Sequence, residues 1–360
     1  MGLEIRSLDT KFANRVKKII LSNKEICYLN STVVDGKKDL LALGSYGIFK
    51  ELAKEIIAIG NEDIGFKITR VIHNITDYEN SELIIGKNKF TLNKAHVMGI
   101  LNVTPDSFSD GGKYFSKDFA VNHGLDLLEK GAAFLDIGGE SSRPGAENIS
   151  IDEELRRVIP VIGEILIKKP NAIISIDTTK PKVAEEALSL GAKIVNDISS
   201  FNDPKILDVV KKHNAALVLM HMKGNPKSMQ DNPIYEDVVS DIYDYLIDKS
   251  EQAKKVGIKN VIIDPGIGFG KRIFDNFELI KRLNEFKGIG CPIMIGLSRK
   301  SFLGRALNLP IEKRGEATII AETIAIKNGS RIIRTHNVTN AIHASKINNY
   351  IENPESLTNV

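Results

Sequence analysis

The sequence predicts an α/β protein built as a TIM (β/α)8 barrel and preceded by a small α+β accessory domain. Two observations carry the barrel. From about residue 96 onward one rhythm repeats eight times: a short apolar, β-branched run, a polar or glycine-rich turn, and an amphipathic stretch of helical length. Eight such units over roughly 250 residues have the size of a closed parallel barrel. A third observation, that residues 1–95 do not join the rhythm, sets the accessory domain apart.

The strand candidates are HVMGILNV (96–103), AFLDIG (133–138), AIISID (172–177), AKIVND (192–197), AALVLMH (215–221), NVIIDP (260–265), CPIMIGL (291–297) and RIIRTH (331–336). Their near-continuous apolarity is what parallel strands buried on both faces require. Helical candidates fill the gaps, among them KDFAVNHGLDLLEKG, DEELRRVIPVIGEIL, KPKVAEEALSLG, YEDVVSDIYDYLIDKSEQAKKVG and EKRGEATIIAETIAIKNG. Several end at a glycine (Gly131, Gly191, Gly257, Gly329), the residue that most readily closes a helix. A doubly wound open sheet is the alternative, but it calls for a glycine-rich fingerprint after the first strand, where this chain has NVTPDSFSDGG.

Within residues 1–95, KFANRVKKIIL and YGIFKELAKEIIAIG read as helices, while EICYLNSTVV, GFKITRVIHNI and SELIIGKNKFTL read as β-like runs. The last contains a turn at Gly86 to Asn88 and leads into the barrel. The predicted division is 1–95 accessory domain, 96–352 barrel and 353–360 C-terminal tail.

The chain has 360 residues, enough for one large and one smaller domain. Its net charge of +3 comes from 49 basic and 46 acidic side chains with no long basic run, which gives no reason to expect nucleic acid or an anionic membrane as partner. No stretch approaches ~18 uninterrupted apolar residues, so a membrane span is not expected. The first residues, MGLEIRSLDTKF, lack the pattern of a signal peptide. Cys27 and Cys291 lie outside any CxxC spacing and are expected to be buried free thiols in a reducing cytoplasm.

In such a barrel the active site lies at the C-terminal ends of the strands. The polar residues there are Asn102; Glu140, Ser142 and Arg143; Asp177; Asn196 and Asp197; His221, beside Met220; Asp264; Ser298, Arg299 and Lys300; and Arg334 and His336. Taken singly, each reads as readily as a cap on the next helix. As a set they do not, because Arg and Lys are poor caps. Arg334, His336, Asn102, Ser142 and Arg143 suit an anion with many oxygens, such as a diphosphate. Asp177, Asn196 and Asp264 suit a flat ring carrying N–H donors.

MGILNVTPDSFSDGG (98–112), GGESSRPGA (138–146), SIDT (175–178), NDI (196–198), MHMKG (220–224), DPGIGFGK (264–271), GLSRKS (296–301) and RTH (334–336) resemble, in order, the consecutive signatures of the dihydropteroate synthase family. The resemblance spans the whole predicted barrel. It implies that Asp177, Asn196, Met220, Asp264, Gly296 and Lys300 hold a pterin. It implies that Asn102 ligates Mg2+ bridging the diphosphate, whose oxygens are held by Ser142, Arg143, Arg334 and His336. Phe269, Ser301 and the Lys300 stem would wall the arylamine. Catalysis would fall to Lys300, Arg334, His336 and Asp106, with the loops carrying Asp106 to Ser109 and Ser141 to Pro144 closing over the site.

The implied reaction joins dihydropterin-methyl diphosphate to p-aminobenzoate, in a cytoplasmic enzyme expected to be a homodimer. Two alternatives keep the pterin: a modified arylamine as in methanopterin pathways, or a pterin-dependent methyltransferase, against which the SRKS and RTH motifs argue. The chain departs from the family pattern at Ser142, usually threonine, and at Asn337, usually aspartate. The second change removes a carboxylate that could orient His336.

Overall fold

The structure, a computed structural model, describes residues 1–34, 37–104, 117–141, 148–224, 229 and 232–357. It divides into two compact units, Met1–Tyr78 and Glu79–Val360.

The first unit contains β1 (Gly2–Asp9), α1 (Thr10–Ser22), β2 (Cys27–Val34), β3 (Lys37–Leu43), α2 (Tyr46–Ala58) and α3 (Glu62–Thr76). Its antiparallel sheet has the order β1-β3-β2. Leu3, Ile5 and Leu8 of β1 join Val16 and Ile20 of α1, Phe49, Leu52 and Ile56 of α2, and Ile68 and Ile72 of α3 in one core. GFKITRVIHNI, expected to be β-like, is part of α3. Its Ile, Thr and Val favour strands locally. Asn61 overrides that preference by capping the helix, its side chain accepting from the Ile64 N–H at 3.0 Å, and a buried Gly65, Ile68, Ile72 face has helical spacing. Cys27 is exposed and only Cys291 is buried, so the expectation of two buried thiols holds for one.

The second unit opens with a hairpin, β4 (Glu82–Ile85) and β5 (Asn88–Thr91), turning at Gly86 as expected. Eight parallel strands follow: β6 (His96–Asn102), β7 (Phe134–Gly138), β8 (Ile174–Asp177), β9 (Ile194–Asp197), β10 (Ala216–Met220), β11 (Val261–Asp264), β12 (Met294–Ile295) and β13 (Ile332–Thr335). They coincide with the eight predicted runs. The sheet order is β11-β10-β9-β8-β7-β6-β13-β12, and an Ile263–Ile293 bridge brings the two ends together. Strand β12 is only two residues long, since Pro292 has no N–H to donate, although its carbonyl accepts from the Ile263 N–H at 3.0 Å.

The helices are α4 (Lys117–Glu129), α5 (Ile151–Lys168), α6 (Pro181–Leu190), α7 (Lys205–Lys212), α8 (Val238–Lys255), α9 (Ile273–Lys281), α10 (Ser301–Leu307), α11 (Gly315–Lys327) and α12 (Val338–Glu352). They alternate with the strands, as the predicted rhythm requires. The hairpin packs with the barrel. Phe90 lies 4.7 Å, ring to ring, from Phe134 at the start of β7. Buried Arg331 donates to the Leu92 carbonyl at 2.5 Å and to Glu79 at 2.7 Å. No helix among the described residues is long and apolar enough to cross a membrane.

Candidate active site

The strand register aligns Asn102 with Gly138, Gly138 with Asp177, and Asp177 with Asn196 across β6 to β9. Asp136 lies two residues back on β7, where side chains again point to the same face. These positions meet Arg334 of β13. Its Nε donates to Asp136 Oδ2 at 2.6 Å and its Nη2 to Asp177 Oδ2 at 2.7 Å, while Asn196 Nδ2 donates to Asp136 Oδ2 at 3.0 Å. Buried carboxylates need such pairing, and a guanidinium fork can span two of them. Burial pushes the Asp177 carboxyl up to about 7; Arg334 opposes the rise and Asp136 adds to it. Asp136 Oδ1, Asn196 Oδ1 and Ser175 Oγ are buried without a hydrogen-bond partner in the structure. Such unmet acceptors and donors are costly unless something else satisfies them.

Opposite this cluster, Met220 of β10 is in register with Asp264 of β11. Asp264 Oδ1 accepts from the Gly266 N–H at 2.7 Å, and burial raises its carboxyl. The DPGIGFGK loop then runs close to its neighbour. A Cβ on Gly266 (φ 70°) would lie 1.9 Å from the His221 carbonyl oxygen, and one on Gly270 (φ 62°) 2.4 Å from that of Lys223. Only glycine allows both the backbone conformation and the approach. Lys300 reaches over this loop, donating to the Ile267 carbonyl at 2.5 Å, with Nζ 4.2 Å from the centre of the Phe269 ring. Burial pulls Lys300 down to about 8, against the pull of Asp264. Gly296 sits beside Arg334, and Ser301 is exposed at the start of α10.

Lys271 is buried and turned inward. It donates to the Phe269 carbonyl at 2.9 Å and lies 3.0 Å from His221 Nδ1. Burial draws Lys271 down to about 7 and His221 to about 2. The two residues lock the fifth and sixth strand-end loops together. His336 has its Nδ1 2.9 Å from Ser298 Oγ, and the same hydroxyl accepts from the His336 N–H at 3.3 Å. Asn337 is exposed and caps α12, accepting from the Asn340 N–H at 3.1 Å. The residue beside the imidazole is therefore Ser298, and the loss of a carboxylate at 337 does not strip His336 of this neighbour.

Two strand-end residues are structural. Asp197 accepts from the Ser199 and Phe201 N–H groups, and Glu140 accepts from Lys180 at 2.6 Å and from the Ile149 N–H at 3.0 Å. The structure thus gathers Asp177, Asn196 and Arg334 into one bonded cluster and Asp264, Lys300 and Phe269 around one loop, with half-buried Asn102 in the same strand layer as Asp177. Asp106, Ser142 and Arg143 lie outside the described residues. Asp136 and Ser298 are the additions. Asp136 was signalled by a carboxylate inside the apolar run FLDIG; nothing in the sequence pointed to the Ser298–His336 pair. Among the described residues no group of three or more His, Cys, Asp or Glu side chains could hold a metal ion. A lone amide such as Asn102 suits only an ion held chiefly by substrate oxygens, which is how Mg2+ commonly binds phosphates.

Residues 98–336 match the pterin binding enzyme family. The chain is 43% identical over 258 residues to dihydropteroate synthase of Escherichia coli K12, covering 71% of this chain and 91% of that protein. It is 45% identical over 257 residues to that of Bacillus subtilis, covering 71% and 87%. Among solved structures, a Yersinia pestis dihydropteroate synthase with a sulfonamide drug superposes with a TM-score of 0.72 at 39% identity, over 76% of this chain and 99% of that one. A Xanthomonas albilineans dihydropteroate synthase in complex with 7,8-dihydropteroate gives 0.68 at 37%, over 76% and 99%. With its motifs in order on the strand ends of a parallel barrel, the chain belongs to the pterin-binding dihydropteroate synthase family.

Proposed function

We propose that this enzyme condenses 6-hydroxymethyl-7,8-dihydropterin diphosphate with p-aminobenzoate, giving dihydropteroate and diphosphate. The observation that carries the reading is the buried cluster of Asp136, Asp177, Asn196 and Arg334 with its unmet polar atoms. A flat heterocycle with several N–H donors satisfies acceptors of this kind. In this reading Asp177, Asn196 and Asp264 take the ring N–H groups and Lys300 donates to a ring nitrogen or carbonyl, while Met220 and Gly296 flank the ring.

Arg334 commits two of its five N–H donors to carboxylates, leaving others for the diphosphate. His336, Asn102, Ser142 and Arg143 complete the anion's donors. The bond from the exocyclic methylene to the diphosphate oxygen breaks, its electron pair leaving with that oxygen, and fixed cations stabilise the charge that develops. Asp106 offsets the positive charge left on the pterin. The arylamine, walled by Phe269, Ser301 and the Lys300 stem, forms the new C–N bond and gives up a proton. Mg2+, held by Asn102 and the substrate's diphosphate, supplies charge neutralisation.

Free Cys27 and Cys291 support a reducing cytoplasm. A homodimer is supported by α11, which buries Ala321 and Ala325 yet exposes Ile320 (61%) and Ile324 (48%). The test of the reaction is incubation of the purified protein with dihydropterin-methyl diphosphate, Mg2+ and p-aminobenzoate, with the product identified by mass. Dihydropteroate and stoichiometric diphosphate are expected. Methyl transfer to a second substrate, without diphosphate release, would overturn the reading.

A further inference from the structure

The region around Ser301 opens outward. A cavity of about 260 Å³ is lined by Gly268, Lys271 and Ser301 and continues past Arg272, Asn276 and Arg305. Three basic side chains line it and no acidic one does. Their charges are not equally available. Lys271 turns inward to the Phe269 carbonyl and His221, and Arg272 is neutralised by buried Asp275 at 2.8 and 2.9 Å. Asn276 is also committed, accepting from the Gly268 N–H at 2.6 Å and donating to the Arg272 carbonyl at 2.7 Å. Arg305 is exposed and has no carboxylate partner among the described residues.

Ser301 and Arg305 are four residues apart on α10, so they share a face about 5–6 Å apart. An aromatic amine walled by Phe269 and Ser301 that carried an anion one helical turn beyond its ring would place that anion at Arg305. The carboxylate of p-aminobenzoate itself is too close to the ring. We propose that this cavity binds an anionic extension on the arylamine, either an amide-linked acidic amino acid or a phosphorylated sugar, with Arg305 as its charge partner. The inference rests on the condensation reading above, which supplies the position of the ring.

The test compares wild type, Arg305→Gln and Arg305→Lys with three amines: p-aminobenzoate, p-aminobenzoyl-L-glutamate and an aminobenzene bearing a phosphorylated ribose. Wild type should use at least one extended amine, the productive arm identifying carboxylate or phosphate. Arg305→Gln should raise the KM for that amine about tenfold, as for loss of one charge-assisted hydrogen bond, and that for p-aminobenzoate less than about twofold, with Arg305→Lys in between. If wild type uses neither extended amine, or Arg305→Gln shifts all KM values alike, the proposal is wrong. Failure of p-aminobenzoate itself to yield dihydropteroate would instead sink the condensation reading. Calorimetry then still reads the cavity: the Kd of each extended amine should weaken about tenfold in Arg305→Gln for at least one of them, and equal values for both amines overturn the proposal.

Discussion

Ser298 Oγ lies 2.9 Å from Nδ1 of His336, whereas Asn337, the residue next to that histidine, caps α12. A hydroxyl held against one ring nitrogen fixes the ring's orientation and leaves Nε2 to act outward. Ser298→Ala should therefore lower kcat/KM by about five- to tenfold, near 1 kcal/mol, the worth of one neutral hydrogen bond. Asn337→Asp should leave both activity and melting temperature nearly unchanged, because Asn and Asp cap helices about equally well. A larger kinetic effect from Asn337→Asp than from Ser298→Ala would return the orienting role to position 337.

Arg334 joins Asp136 to Asp177, so its removal leaves two buried carboxylates facing each other. Arg334→Ala should reduce turnover strongly and also destabilise the barrel by about 3–5 kcal/mol, the usual cost of breaking a buried ion pair. Adding Asp136→Asn should recover part of that stability, since one unpaired charge is gone. Diphosphate should raise the melting temperature of wild type much more than that of Arg334→Ala. Additive destabilisation in the double variant would deny the coupling, and equal protection by diphosphate would remove Arg334 from the anion site.

Burial pushes Asp177 up to about 7, above its unfolded value near 4. Between those values the folded protein binds more protons at this site than the unfolded chain, so stability falls as pH rises. The contribution of Asp177 is thus fully present below about pH 4 and lost as pH passes about 7. Ring N–H donors prefer the ionised carboxylate, so pterin affinity should rise over the same interval. Asp177→Asn should flatten both profiles and, like Asp264→Asn, weaken pterin binding by about 1–3 kcal/mol. Calorimetric titration at pH 5.5 and 8 decides the matter; a pH-independent wild type would mean that Asp177 does not meet the ring.

The barrel was legible because eight buried strands each had to be apolar on both faces, and that pattern survives in one dimension. The accessory domain was less so. Strands β1 and β3 carry mixed exposure, and α3 is written in β-branched residues whose helix depends on the Asn61 cap and on tertiary packing. At the site, strand-end position found Asp177, Asn196, Asp264, Lys300, Arg334 and His336. It did not find which of them bond to which. Arg334 was grouped with the anion donors, yet its neighbours are two carboxylates, one of them a residue inside a strand that strand-end counting passes over.

The two compact units divide at Tyr78 and Glu79, not at the end of the hairpin, and this makes truncation sensitive to where the cut falls. The first unit has its own apolar core, and the barrel strands form a ring with no open edge to be covered. Deleting residues 1–78 should therefore leave a folded, cooperatively melting barrel. Deleting 1–95 removes β4 and β5 as well, stripping Phe90 from Phe134 and the Leu92 and Glu79 oxygens from buried Arg331. Bonds to a charged group contribute about 1.5–3 kcal/mol each, so the shorter protein should melt several degrees lower than the 79–360 form. Thermal unfolding followed by circular dichroism checks both. A 79–360 protein without a cooperative transition would show that the first unit completes the barrel's stability, and equal melting of the two truncations would show that the hairpin does not seal the barrel's N-terminal end.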